Sequence, residues 1–97
     1  GSLPHQFSLG DNFPNPFNPA TTFEFTIPYG AEVRVSIYDL TGRLISTIHN
    51  QFTSPGKYQV SWNGNTGKGI PAGSGIYFYE LNADPYYKQI KKMTLVK

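Results

Sequence analysis

The chain has 97 residues and no cysteine, is 15% aromatic and 14% charged, and carries a formal net charge of +2. That is enough for one small domain. It leaves no disulfide framework or thiol chemistry, lacks the dense basic face of a nucleic-acid binder, and holds no apolar run long enough for direct membrane insertion.

Gly1-Ser2 reads as a cloning scar and is set aside, so residues 3–97 form the single domain. No signal peptide opens the chain, so an export signal would lie elsewhere in a longer parent. His5 to Leu9 reads as a short edge strand. Phe13-Pro14-Asn15-Pro16-Phe17-Asn18-Pro19 follows, with three prolines in seven residues. Proline fixes φ, offers no N–H to a ladder, and pushes the preceding residue to extended geometry. The segment is therefore an ordered, turn-rich crossover, with Phe13 and Phe17 as anchors into a core. Thr22 to Ile27 alternates: Phe23, Phe25 and Ile27 face one way, Thr22, Glu24 and Thr26 the other. That is a strand with one wet face.

Glu32 to Tyr38 alternates again, with Val33, Val35 and Ile37 on one side. Asp39 to Arg43 is a tight connection in which Gly42 takes positive φ, and Leu44 to His49 is the partner strand. Ser54-Pro55-Gly56 is a turn. Tyr58, Val60 and Trp62 share one face of the next strand. A glycine-rich loop leads to Gly75-Ile76-Tyr77-Phe78-Tyr79-Glu80-Leu81, a run of aromatic and β-branched residues. Trp62, Tyr77, Tyr79 and Leu81 carry much of the large apolar surface, so strand, loop and strand read as a hairpin-like core element. Lys88 to Val96 is the last strand, with Met93 and Leu95 on one face. Nothing keeps helical spacing, and short strands punctuated by turns spell an antiparallel sandwich, with a small closed barrel as the alternative.

Catalysis needs groups that attack or move protons. His5 and His49 have no partner at a suggestive spacing and read as surface histidines. Glu24 and Glu32 sit where solubility alone places them. The loop from Asn63 to Gly69 sets oxygens around glycine as calcium loops do, but it lacks the carboxylates a tight site requires; Asn and Gly there supply turn geometry. No catalytic residue, metal ligand or cofactor site is expected. Tyr29, Tyr38, Tyr86 and Tyr87 are the candidates for a sugar-binding platform.

The motifs, taken in order, resemble a known family. Pro14-Asn15-Pro16 with Phe17-Asn18-Pro19, Ile37 to Arg43, Gly56-Lys57-Tyr58, Trp62-Asn63-Gly64, Gly69, Gly75-Ile76-Tyr77 and Lys91 to Lys97 are similar to the C-terminal sorting domains of proteins exported by the type IX secretion system. They also resemble the Ig-like domain of flagellar hook-capping proteins. The resemblance implies an all-β, Ig-like antiparallel β-sandwich of about seven strands. It implies a non-catalytic module of a larger exported bacterial protein, reaching the cell surface or the medium through the periplasm and outer membrane. Its partners would be an outer-membrane translocon, a surface sortase, and the catalytic or adhesive domain of its parent.

Within that frame Pro14, Asn15, Pro16, Gly42, Trp62, Gly75 and Tyr77 serve the fold. Lys91, Lys92 and Lys97 are the candidate recognition residues, because the fold needs them least; strand alternation puts Lys91 and Lys97 on one face and Lys92 on the other. An edge strand also carries lysines simply to discourage aggregation. The other readings are a carbohydrate-binding module and a structural Ig-like spacer of a polysaccharide-degrading enzyme.

Overall fold

The computed structural model describes residues 3–97; Gly1 and Ser2, read as a cloning scar, lie outside the described residues. Seven strands form two antiparallel sheets: β1 (Ser8–Leu9), β2 (Thr21–Ile27), β3 (Ala31–Asp39), β4 (Leu44–Thr53), β5 (Gly56–Trp62), β6 (Gly75–Ala83) and β7 (Tyr87–Leu95). One sheet has the order β1-β2-β5 and the other β4-β3-β6-β7. This is the Ig-like sandwich, with the core between the two inner faces.

Alternation builds that core. Phe23, Phe25 and Ile27 of β2, Val33, Val35 and Ile37 of β3, Tyr79 and Leu81 of β6, and Met93 and Leu95 of β7 are all buried. Each fully buried side chain of this size contributes about 1.5–3 kcal/mol of transfer free energy. The rings of Phe23 and Tyr79 meet across the sheets at 4.3 Å. The Tyr79 hydroxyl donates to the Gly10 carbonyl at 2.8 Å. Burial, with the Asp11 charge adding to it, pushes that phenol up to about 12.

Several expectations need correction. The first strand is only Ser8–Leu9, because His5 to Phe7 have no ladder partner on β2: Gln6 is met by the Thr26 hydroxyl, not by backbone. The Trp62–Leu81 stretch is not a hairpin: β5 and β6 lie in different sheets. Its loop carries the chain across the sandwich, and the Gly67 N–H donates to the Ile45 carbonyl on the edge of β4 on the way. Phe17 is buried as an anchor, but Phe13 is 80% exposed. Phe13 forms a bridge with Thr22, whose neighbour Phe23 occupies the inward position.

β4 runs on to Thr53, past His49. The Asp39–Arg43 connection is the expected β3–β4 hairpin, with Gly42 at φ 87° and register shifts in the ladder above it. Asp39 holds it together. Its carboxylate accepts from the Thr41 hydroxyl and from the amides of Thr41 and Arg43, and the Thr41 hydroxyl leads the effects that lower its pKa. β7 ends at Leu95, so Lys97 lies beyond the strand and shares no strand face with Lys91.

Candidate functional site

The motifs that are far apart in sequence converge on the C-terminal end of β7. The Phe17 N–H donates to the Thr94 carbonyl at 3.0 Å, and the Val96 N–H donates to the Phe17 carbonyl at 2.9 Å. Phe17 thus forms a parallel bridge with Leu95 on the outer edge of β7. The Asn15 side-chain oxygen accepts the Thr94 N–H at 3.1 Å. The proline-rich segment therefore acts as a short extra strand. Proline supplies its shape without a ladder N–H, and Asn15 and Phe17 between the prolines supply the pairing.

Asn12 and Thr21 fix the entrance to this segment. The Asn12 amide donates to the Thr21 hydroxyl, which donates to the Pro14 carbonyl. Beneath it, Phe17 packs edge-on against Trp62, and Trp62 packs edge-on against Tyr77. The indole N–H of Trp62 donates to the Asn65 carbonyl at 2.8 Å, and the Tyr77 hydroxyl donates to the Gly73 carbonyl at 2.7 Å. Gly75 pairs with Leu95 at the start of β6.

The three candidate lysines point to three places. Lys91 shares the inward row with Met93 and Leu95 but lies at its margin, half-buried, where its Nζ meets Asp11 Oδ1 at 2.6 Å. Lys92 is exposed on the outer face, opposite Phe78. Lys97 is exposed past the strand, and its backbone N–H donates to the Ser74 hydroxyl. Sequence reasoning missed Asp11 and Ser74 because both partners come from distant parts of the chain. It also passed over Lys88, whose Nζ lies 3.5 Å from the buried carboxylate of Glu80. The Tyr38 hydroxyl donates to the same carboxylate at 3.4 Å.

The remaining candidates sit elsewhere. In the Asn63–Gly69 loop, the Asn63 side-chain oxygen accepts from the Asn65 N–H and the Thr66 hydroxyl accepts from the amides of Lys68 and Ile70. Those oxygens shape turns. Among the described residues no group of three or more His, Cys, Asp or Glu side chains could hold a metal ion. Tyr29 and Tyr86 are exposed and meet at 5.2 Å with their planes at 87°, and Tyr29 is also perpendicular to Phe7 at 83°. Perpendicular to each other, Tyr29 and Tyr86 make no flat ledge for a sugar. Tyr87 is covered by Phe7, stacked on it at 5.2 Å, and Tyr38 lies apart on the outer face of β3.

His49 is half-buried rather than a surface histidine: it packs edge-on against Phe25, and its Nε2 is 2.8 Å from the Thr53 hydroxyl. Burial lowers its pKa below the ordinary 6.5. The folded chain therefore holds this ring neutral where the unfolded chain protonates it. The stabilisation is complete above pH 6.5 or so and is lost as pH falls from there through the folded value. Unfolding by urea at several pH values will show stability declining below that point. His49→Gln will flatten this part of the profile, and an unchanged slope would contradict the assignment.

The family model described as the FlgD Ig-like domain matches residues 15–85. Among solved structures, the chain is similar to the dimeric latent form of PorU from Porphyromonas gingivalis, with a TM-score of 0.71 and 29% identity over 99% of this chain and 10% of that one. It shares its fold with FLGD from P. aeruginosa, at a TM-score of 0.64 and 18% identity, covering 97% of this chain and 74% of that one. It shares the fold also with P. gingivalis PorZ, an essential bacterial surface component of the type-IX secretion system, at a TM-score of 0.62 and 22% identity, covering 90% and 11%. The chain thus spans about a tenth of PorU and of PorZ. No curated protein matches it in sequence.

Proposed function

Since this chain belongs to the family of FlgD Ig-like domains, we propose that it is a non-catalytic sorting and surface-anchoring module of a larger exported bacterial protein. It would be read by an outer-membrane type IX translocon and processed by a surface sortase. The observation that carries this reading is the similarity to PorU, which extends over 99% of this chain yet only 10% of that one. A domain-sized piece that recurs in a much longer protein has the organisation of an appended module. The geometry at β7 supports it. An address must be displayed on a rigid element, and the proline-rich segment, Trp62 and Tyr77 all brace the end of this strand. Lys92 and Lys97 are then displayed outward, with Lys91 held beside Asp11.

The test is secretion of a reporter fused to residues 3–97 in a host with type IX machinery. The fusion is expected in the medium or on the cell surface, and retention in the periplasm would refute the reading. Changing Lys91, Lys92 and Lys97 together to Gln will cost about 1 kcal/mol of stability or less, since exposed changes and surface ion pairs are both small. If these lysines are read, export falls sharply while the domain still folds. Unchanged export with more aggregation would assign them to edge protection.

One observation favours a structural spacer as the second reading. Tyr29 and Tyr86 form an exposed aromatic corner against Phe7, of the kind a neighbouring domain covers. In that case Tyr29→Ser with Tyr86→Ser lowers the melting temperature of the parent protein by more than that of the isolated domain, which loses only its own ring contacts, and leaves export intact.

A further inference from the structure

The edge of β7 is open just upstream of its pairing with Asn15 and Phe17. In an antiparallel ladder the N–H and C=O of one residue point the same way, and the direction alternates along the strand. Thr94 directs both groups away from β6, towards Asn15 and Phe17. The β6–β7 register runs without a shift from Gly75↔Leu95 to Ala83↔Tyr87. Lys92, Ile90 and Lys88 therefore direct their backbone groups outward as well. Among the described residues no hydrogen bond reaches them. Their side chains are exposed on the outer face, so the edge presents lysine, isoleucine and lysine at alternate positions.

We propose that this edge is a docking site for an extended acidic peptide segment, which adds to the sheet as a further strand beside β7. Three observations support it. The edge already accepts a strand, because Phe17 pairs with Leu95 on the same side. It is straight, whereas the opposite edge strand β4 has two register shifts and is met by Gly67 at Ile45. And Ile90, 52% exposed, places an apolar side chain at the centre of the edge, where a purely protective edge would carry only charge. The charges choose the occupant. A second copy pairing antiparallel about Ile90 would set Lys88 against Lys92, which is repulsive. A strand carrying acidic, apolar and acidic residues at alternate positions would meet Lys92, share Lys88 with the Glu80 carboxylate 3.5 Å from its Nζ, and cover Ile90.

The inference deepens the export reading by naming the chemistry of the partner, and it is tested on the chain itself, apart from any secretion assay. The probe is a labelled peptide that alternates threonine with glutamate, valine and glutamate in turn. Fluorescence anisotropy is expected to show saturable binding, with a lysine-for-glutamate version at least about tenfold weaker. Amide exchange by NMR is expected to slow at Lys88, Ile90 and Lys92, and to stay unchanged at Gln89 and Lys91, whose groups already face β6. Ile90→Pro removes one outward N–H and should abolish binding. If that variant does not fold, Lys88→Gln with Lys92→Glu should reverse the preference between the two peptides. No binding at millimolar peptide, or binding without protection of those three amides, would overturn the proposal. Export without peptide binding would sink this inference alone, and peptide binding without export would sink the sorting role alone.

Discussion

Replacing Trp62 with alanine is expected to remove about 3–5 kcal/mol of stability. The indole is 1% exposed. It joins Phe17 of the crossover to Tyr77 of β6, and its N–H satisfies the Asn65 carbonyl. Truncation leaves a void among aromatic neighbours fixed by their own strands, and it frees a loop carbonyl. Small domains have a net stability of about 5–15 kcal/mol, so the variant approaches the limit of folding. Its melting temperature should fall by about 12 °C or more, at about 4–8 °C per kcal/mol for a domain of this size. Circular dichroism is the measurement to use, since Trp62 is the chain's single tryptophan. Trp62→Phe keeps most of the packing and loses the hydrogen bond, so it should cost much less. A loss of under about 1 kcal/mol for the alanine variant would contradict the central role given to this ring.

Gly64→Ala is expected to be nearly as damaging, for a different reason. Gly64 is buried with φ 80°, and a Cβ there would lie 2.7 Å from the Pro19 carbonyl oxygen. A non-glycine residue in that backbone region costs about 1–3 kcal/mol by itself. The clash adds to it, because the obstacle is backbone of the proline-rich crossover and cannot swing aside. Gly69 is the internal control: its φ is 78°, but nothing lies within 4 Å of an added Cβ. Gly69→Ala should therefore show the backbone cost alone. The difference between the two variants in urea unfolding measures how tightly the crossover is held against the loop. Equal losses would mean that the Pro19 contact is unimportant.

Much of the sandwich was legible because burial and alternation are the same fact in a strand. Phe23-x-Phe25-x-Ile27 and Val33-x-Val35-x-Ile37 fill the core as their spacing demands. The Asp39–Arg43 connection was legible because Gly42 supplies positive φ where the hairpin requires it. Strand ends were less so. The continuation of β4 from His49 to Thr53 carries polar residues on an exposed edge and has no apolar rhythm to announce it. Phe13 and Phe17 look alike in sequence, yet one is exposed and the other is buried. Which of them turns inward depends on the bridges each makes, with Thr22 and with Leu95.

The sequence by itself determined the all-β class, the inward and outward faces of the long strands and the turn between β3 and β4. These follow from local chemistry: side-chain alternation, glycine at positive φ, and proline where no ladder runs. Only the tertiary structure decided the sheet order, which places β5 and β6 in opposite sheets and β7 at an edge. Only it brought Asn15 and Phe17 onto Thr94 and Val96 and Asp11 onto Lys91. Those contacts join residues about eighty positions apart. No local preference encodes them, because their geometry exists only once two sheets have packed and closed the core between them.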